Sequence, residues 1–369
     1  MYLESLSLEN FRNYSQEVFN FKNGINILTG LNAQGKTNAA EAIFFLCSGY
    51  SPRANKDKYV VKNGFETAKI SGRAKSLYGD VSVGIEFSKS DKKVIYVNGA
   101  KTAKIGELLG NIHSVFFNPS ELKLVQESPE DRRRFLNISL CQMSRSYFYA
   151  LNRYNNILAQ RNNMLKDPEK YIIRETLPVW DKQLSEQAAK IIRARNEFIF
   201  EIAPVAENKH AVLSDGTETL LLKSECNYSG SEEEIASALY ADLQSGLERD
   251  IRLGFTGIGP HRDDIKFILN GFDARIYGSQ GQQRTVALSL KLAETEIFKS
   301  RTGEYPILIL DDVLSELDKK RQRRLFSCVE SVQSVFTSVG IDRSVVKNRE
   351  YLRINIENGK IKGQSENRP

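Results

Sequence analysis

Apolar and polar residues alternate through YLESLSLENF at positions 2–11, the period of a half-buried strand. At GINILTG (24–30) the alternation gives way to a nearly continuous apolar run, which predicts a short buried strand. A polar loop follows, and Thr37–Leu46 then has helical texture. VSVGIEFSKSDKKVIYVNGAKT (81–102) alternates again, with a polar turn near Ser90-Asp91 and a second at Asn98-Gly99, the pattern of a hairpin. Residues 1–100 therefore read mostly as strands and turns around one helix.

From about Pro119 the period lengthens to three and four. It does so in SPEDRRRFLNISLCQMSRSYFYALNRYNNILAQRNNML (128–165) and in LPVWDKQLSEQAAKIIRARNEFIFEIAPVAENK (177–209), which predicts helices. Asp167-Pro168 marks a turn between them. A third helix is expected over 231–250, where Ser231 and Glu234 have capping-box spacing. This block reads either as a helical arm or as helices packed on the common core. Strand texture returns in IKFILNGFDARIYG (265–278), a helix is expected over 282–301, and YPILILDDVLSELD (305–318) is an apolar run ending in acids. A basic helix (319–332), a last core strand (333–340) and about twelve frayed residues complete the chain. The expected division is 1–120, a helical segment 121–254, and 255–369. Repeats, low-complexity tracts and sustained heptads are absent.

The 369 residues are enough for two domains, or for one large domain with an insertion. Hydrophobic residues at 41% and charged residues at 27% fit a globular chain with a sizeable core. A net charge of +6 and a pI near 8.9 permit nucleic-acid contact without requiring it. Cys47, Cys141, Cys226 and Cys328 are far apart and only three histidines are present. No structural zinc site is expected, and the pattern suits a reducing cytoplasm. The first residues lack the basic and apolar regions of a signal peptide, and no run is long enough to span a membrane.

Gly30-Leu31-Asn32-Ala33-Gln34-Gly35-Lys36-Thr37 fits G-x-x-x-x-G-K-[ST], between an expected strand and an expected helix. Glycines let backbone N–H groups turn towards phosphate oxygens, and the helix start adds partial positive charge. Lys36 would reach the β- and γ-phosphates of a nucleotide and the Thr37 hydroxyl would ligate Mg²⁺. If Ala33 needs a positive φ, it costs about 1 kcal/mol or more relative to glycine. Asp311, at the carboxyl end of the later apolar run, can hold Mg²⁺ through water, and Asp312 can orient or deprotonate an attacking water. About thirty residues earlier, Ser279 and Gly281 open a helix and form a second anion-binding element. One phosphate loop and one such element on a chain do not easily reach the same nucleotide. Two copies facing head-to-tail would solve this.

Together these motifs resemble an ATP-binding-cassette head. LENFRNY (8–14), GLNAQGKTN (30–38), FNPSELKLVQESPEDRRRFLN (117–137), GPHRDD (259–264), GSQGQQR (278–284) and LDDVLSELD (310–318) resemble, in that order, the RecF family. That family is related to Rad50 and SMC heads. The resemblance implies an α/β fold, a P-loop NTPase head of mixed sheets and flanking helices carrying a helical insertion arm. It implies a weak, DNA-dependent ATPase that uses ATP and Mg²⁺ and dimerises on DNA near single-/double-strand junctions. Work with RecO and RecR in loading recombinase, and roles in replication and SOS induction, come with it. By the same resemblance Gly30, Asn32, Gly35, Lys36, Thr37 and the adjoining Asn38 carry the nucleotide. Ser279, Gly281 and Gln282 sense the γ-phosphate of the partner's nucleotide. Asp311 and Asp312 are the Mg²⁺ and water residues, and Asp318 is a dimer contact. Most cassette ATPases have Glu where this chain has Asp312, and the shorter reach fits slow turnover. Arg12 and Asn13 resemble head residues that approach the nucleotide.

Asp131–Arg134, Lys319–Arg324 and Arg193/Arg195 are candidates for DNA phosphates, or equally solvated faces. No basic-aromatic interleaving suggests a single-strand platform, which favours contact with a duplex backbone. His261, Arg262 and Asp263 form either a functional cluster or a structural turn held by an Arg–Asp pair. A transporter ATPase subunit would have its loop and signature closer than the roughly 240 residues found here. A small-molecule kinase leaves Ser279-Gln280-Gly281 and Ser315–Asp318 unexplained.

Overall fold

The computed structural model describes residues 1–102, 104–166 and 170–367, the side chains of 170–174 excepted. The expected turn at Asp167-Pro168 lies outside the described residues. The chain forms two compact units. The first comprises Met1–Leu122, Val205–Thr219 and Ser279–Pro369, the second Lys123–Pro204 and Leu220–Gly278. The second unit starts close to the expected boundary at 121. It then gives residues 205–219 back to the first unit and extends to Gly278 instead of 254. Helix Lys170–Ser214 runs through the division at Pro204, which no break in its apolar period announces.

The first unit holds two six-stranded sheets. One is antiparallel, in the order Gln16–Asn20, Tyr2–Glu9, Thr67–Ser76, Gly79–Ser88, Val94–Val97, Ala100–Thr102. Its inner face is Leu6, Leu8, Ile70, Val83, Ile85 and Ile95, all buried, as alternation predicts. The Asn98-Gly99 turn is present, with both residues at positive φ. The other sheet runs Lys360–Asn367, Tyr351–Glu357, Ile25–Thr29, Ser334–Ser338, Ile307–Asp311, Ser114–Phe117 and is parallel except at its first pair. Ile25–Thr29, Ile307–Asp311 and Ser334–Ser338 are buried at every position, so they read as apolar runs and not as alternation.

Helix Lys36–Ser48 packs against strands of both sheets. It is apolar nearly all round, with Ala39 through Ser48 buried, as a helix enclosed on all sides must be. Gly72 allows its close approach: a Cβ there would lie 2.5 Å from Leu46. The expected frayed end is instead a strand, Lys360–Asn367, paired antiparallel with Tyr351–Glu357. Its signal was Asn358-Gly359, a two-residue hairpin turn with φ of 50° and 69°.

The second unit is helical, as the three-and-four period implied. Helices Pro129–Met143, Arg145–Met164 and the first part of Lys170–Ser214 carry it, with Glu232–Ser245 opened by the expected Ser231/Glu234 capping box. A three-stranded antiparallel sheet, Leu220–Ser224, Ile265–Leu269 and Phe272–Asp273, belongs to it too. Buried charge ties its elements together. Arg132 (3% exposed) makes a bidentate pair with Asp264 at 2.6 and 2.9 Å. Arg195 (4% exposed) donates to Pro260 O, Asn137 Oδ1 and the Tyr147 hydroxyl and lies 3.7 Å from Asp263. These two arginines are therefore not open to DNA phosphates. His261 bonds the Tyr154 hydroxyl at 2.5 Å and Thr256 O at 3.1 Å, and burial pushes its pKa down to about 4. The GPHRDD segment is thus a structural turn on Arg–Asp pairs. Among the described residues, no helix is long and apolar enough to cross a membrane.

Candidate nucleotide-binding site

Parallel register brings the carboxyl ends of three buried strands side by side: Leu28 faces Thr337, and Thr337 faces Asp311. Ligands of such sheets bind at this end. The Gly30–Thr37 loop leaves the first of these strands. Gly30 has φ of 150°, and a Cβ there would lie 2.2 Å from Ile356 O, so no other residue fits. Gly35 has φ of 118°, and its Cβ would press within 3 Å of the Asn13 side chain and the Tyr14 hydroxyl. Gly35 is also the N-cap of helix Lys36–Ser48 and supplies no side-chain cap. The helix start thus keeps free N–H donors, the requirement for anion binding.

Ala33 has φ of 64°, the left-handed conformation in which alanine is strained. Relief of about 1–2 kcal/mol, less a loss of about 0.4–1 kcal/mol from a freer unfolded chain, gives Ala33→Gly a net gain near 1 kcal/mol. Chemical denaturation of the nucleotide-free protein checks this, and a destabilised variant would show that the loop holds Ala33 without strain.

Lys36 Nζ donates to Gly30 O at 2.7 Å and Leu31 O at 2.8 Å, so it folds back over the loop. Burial lowers its pKa, and the charges of Asp312 and Asp311 oppose that shift. Thr37 Oγ1 donates to Asp311 Oδ1 at 2.9 Å, and Thr337 Oγ1 donates to the same atom at 2.6 Å. Burial raises the Asp311 pKa despite these bonds. Asp312 has φ of 53°, donates its backbone N–H to Thr337 Oγ1 at 3.0 Å, and accepts from the Ser315 hydroxyl at 2.9 Å on Oδ1. A carboxylate in a left-handed backbone conformation, its Oδ2 without a hydrogen-bond partner among the described residues, is the kind of residue found at reacting centres.

Between loop and acids lies a cleft of about 420 Å³, lined among others by Asn32, Ala33, Lys36, Thr37, Arg53 and Asp312. Arg53 was not foreseen. It donates to Asn38 Oδ1 at 3.2 Å and lies 3.7 Å from the buried Glu41. Thr337, also unforeseen, left one signal: a buried hydroxyl in an apolar strand. Asn13 braces the loop, donating to Gln34 O at 3.0 Å and accepting from Asn38 at 2.9 Å. Arg12 instead makes a bidentate pair with Glu41 at 2.6 and 2.9 Å and lines no part of the cleft. Leu31 is 71% exposed, and Gln34 accepts backbone N–H groups from Asn358 and Gly359.

Ser279, Gly281 and Gln282 line no part of this cleft either. They open helix Gln280–Thr302 with a complete capping box between Ser279 and Gln282. Both ends of the Gln282 amide are engaged, its Oε1 by Ser279 N and its Nε2 by Glu218, each at 2.9 Å. The Ser279 hydroxyl accepts from Gln282 N and keeps its proton to donate elsewhere. Gly281 has no conformational need to be glycine, and a Cβ there would meet nothing closer than Arg321 at 3.5 Å. Asp318 caps helix Lys319–Cys328 through Lys320 N and Arg321 N, and these bonds lower its pKa.

The family model of the RecF/RecN/SMC N terminal domain matches residues 2–361. A protein of Acetivibrio thermocellus named DNA replication and repair protein RecF is 40% identical, over 98% of this chain and 99% of its own. One of the same name from Lachnoclostridium phytofermentans is 42% identical, over 96% and 97%. A solved structure of the recombination mediator protein RecF with ATP, in the RecFOR pathway, covers 99% of this chain and 97% of its own, with 33% identity and a TM-score of 0.87. An Smc head bound to the winged-helix domain of ScpA shares the fold at 15% identity, with a TM-score of 0.61.

Proposed function

The chain belongs to the RecF family of DNA replication and repair proteins, and on that premise we propose that it is a DNA-binding ATPase whose nucleotide is enclosed by two copies of the chain. The observation that carries this is Gly281. It sits in the first turn of a helix, where glycine is less favourable than alanine, yet nothing among the described residues requires the absence of a side chain there. Close approach of something outside the chain accounts for it. Ser279, with a proton to donate beside it, fits the γ-phosphate held by the partner's Lys36.

Within one chain, ATP phosphates would take the place of the Gly30 and Leu31 carbonyls at Lys36 and accept from the open helix start. The Thr37 hydroxyl and the Asp311 carboxylate, 2.9 Å apart, are hard oxygen donors of the kind that hold Mg²⁺. Bound there, the ion would neutralise charge on the β- and γ-phosphates. Ser315 occupies Oδ1 of Asp312, which leaves Oδ2 to orient the attacking water and take its proton. The water oxygen bonds to the γ-phosphorus as the bond to the β-γ bridging oxygen breaks, giving ADP and phosphate.

In this reading turnover is slow and DNA-dependent, ATP closes a head-to-tail dimer on duplex near single-/double-strand junctions, and hydrolysis opens it. RecR and RecO, which give the RecFOR pathway its name, are the expected partners in recombinase loading, in the cytoplasm. Replication and SOS induction belong to the same reading. Sedimentation with and without ATP and duplex DNA tests it. Wild type should dimerise with ATP, and Lys36→Ala and Ser279→Ala should not. A wild type that stays monomeric with both ligands ends the clamp mechanism.

A further inference from the structure

We propose that the cleft between helix Lys319–Cys328 and residues 344–349 binds the phosphodiester backbone of duplex DNA, an assignment that rests on the DNA-binding reading above. The cleft has a volume of about 580 Å³ and lies wholly in the first unit. Arg323, Ser344, Lys347 and Asn348 line it and are exposed. The side chains of Arg323, Lys347 and Asn348 have no hydrogen-bond or ion-pair partner among the described residues, and the Ser344 side chain bonds Asp342.

Three of the acids around it are already committed. Asp215 pairs with Arg324 at 2.5 Å, Glu330 with Arg349 at 2.9 Å, and Asp342 with Lys319 at 2.7 Å. Arg323 and Lys347 are therefore the cations left over, flanked by a hydroxyl and an amide. The Lys319–Cys328 helix points its carbonyl end towards Cys328, so its dipole gives an anion no help, and attraction must come from these side chains. The turn that carries Ser344 is held in place, with Ser344 N on Asp342 Oδ1 and Val345 N on Asp342 O, each at 2.9 Å.

The chemistry of the lining selects the class of ligand. Its apolar member, Val345, is 1% exposed, so the cleft has no aromatic or aliphatic anchor of the kind that carries protein–protein affinity. Two uncommitted cations beside the Asn348 amide suit phosphate oxygens, which position a duplex without reading its sequence.

Fluorescence anisotropy of the full-length protein on duplex DNA, with ATP and across a KCl series, tests the assignment. Arg323→Ala and Lys347→Ala should each lower the slope of log affinity against log salt by about 1, and the double variant by about 2. The loss should be equal on two unrelated sequences, and Lys92→Ala, a cation outside the cleft, should match wild type. A double variant with the wild-type slope overturns the assignment and leaves an acidic protein segment as the occupant. A wild type that binds no duplex at any salt overturns the DNA-binding reading and this site with it.

Discussion

Equal amounts of the Lys36→Ala and Ser279→Ala proteins, each nearly inactive alone, should recover ATP turnover when mixed. Each substitution removes one donor to transferring phosphate oxygens, a loss of about 10²–10³-fold. If both residues act within one chain, mixing changes nothing. If Ser279 completes the partner's site, a mixed dimer holds one doubly damaged site and one intact site. Neither variant closes a dimer with itself, so turnover in the mixture comes from the mixed dimer, one of whose two sites is intact, and lies far above either background. Steady-state phosphate release against mixing ratio should rise to a maximum at equality. A flat profile would place Ser279 and Lys36 in the same copy.

Asp312→Asn should slow hydrolysis by about 10²–10⁴-fold, the usual contribution of a positioned proton acceptor, while ATP still closes the dimer. Asparagine is the right probe. Residue 312 has φ of 53°, and Asn tolerates this conformation nearly as well as Asp does, whereas alanine would add backbone strain. The amide oxygen can still accept from Ser315, so the local geometry survives and the base is lost. Single-turnover phosphate release measures the rate, and sedimentation with ATP measures persistence of the dimer. Unchanged turnover would remove Asp312 from the chemistry.

Much of this site was legible because its members are fixed by local spacing. Lys36 and Thr37 follow Gly35 directly, and Asp311 ends an apolar run whose buried-strand character was plain. The members that escaped are brought in by long-range pairing. Thr337 reaches Asp311 only through the parallel register of two strands, and Arg53 reaches the cleft through a loop with no period to read. The basic clusters were harder still, since a charge run does not report its own burial. Here a signal existed. Arg132 shares a helical stripe with Phe135, Leu136 and Leu140, and Arg195 shares one with Ile191, Ile192 and Phe198, all buried. A cation on the apolar side of a helix needs a buried acid, and Asp263 and Asp264 were in view. The Gln282 side chain shows the opposite limit: capping-box spacing was present, and the structure spends the amide on that box and on Glu218.

The brace on the phosphate loop has a consequence for biogenesis. Gln34 accepts from Asn358 N across 324 positions of sequence, Gly359 N bonds Gln34 O, and Gly30 rests against Ile356. A nascent chain stalled near residue 340 would contain every nucleotide-contacting motif, yet the loop would lack its outer wall. Such a ribosome-bound chain should hold ATP poorly, and competence should appear as the hairpin around Asn358-Gly359 emerges and docks. Contacts so distant in sequence form late and slowly. On the proposed reading, the protein would thereby be kept from engaging ATP, or another copy, until synthesis has passed strand Lys360–Asn367.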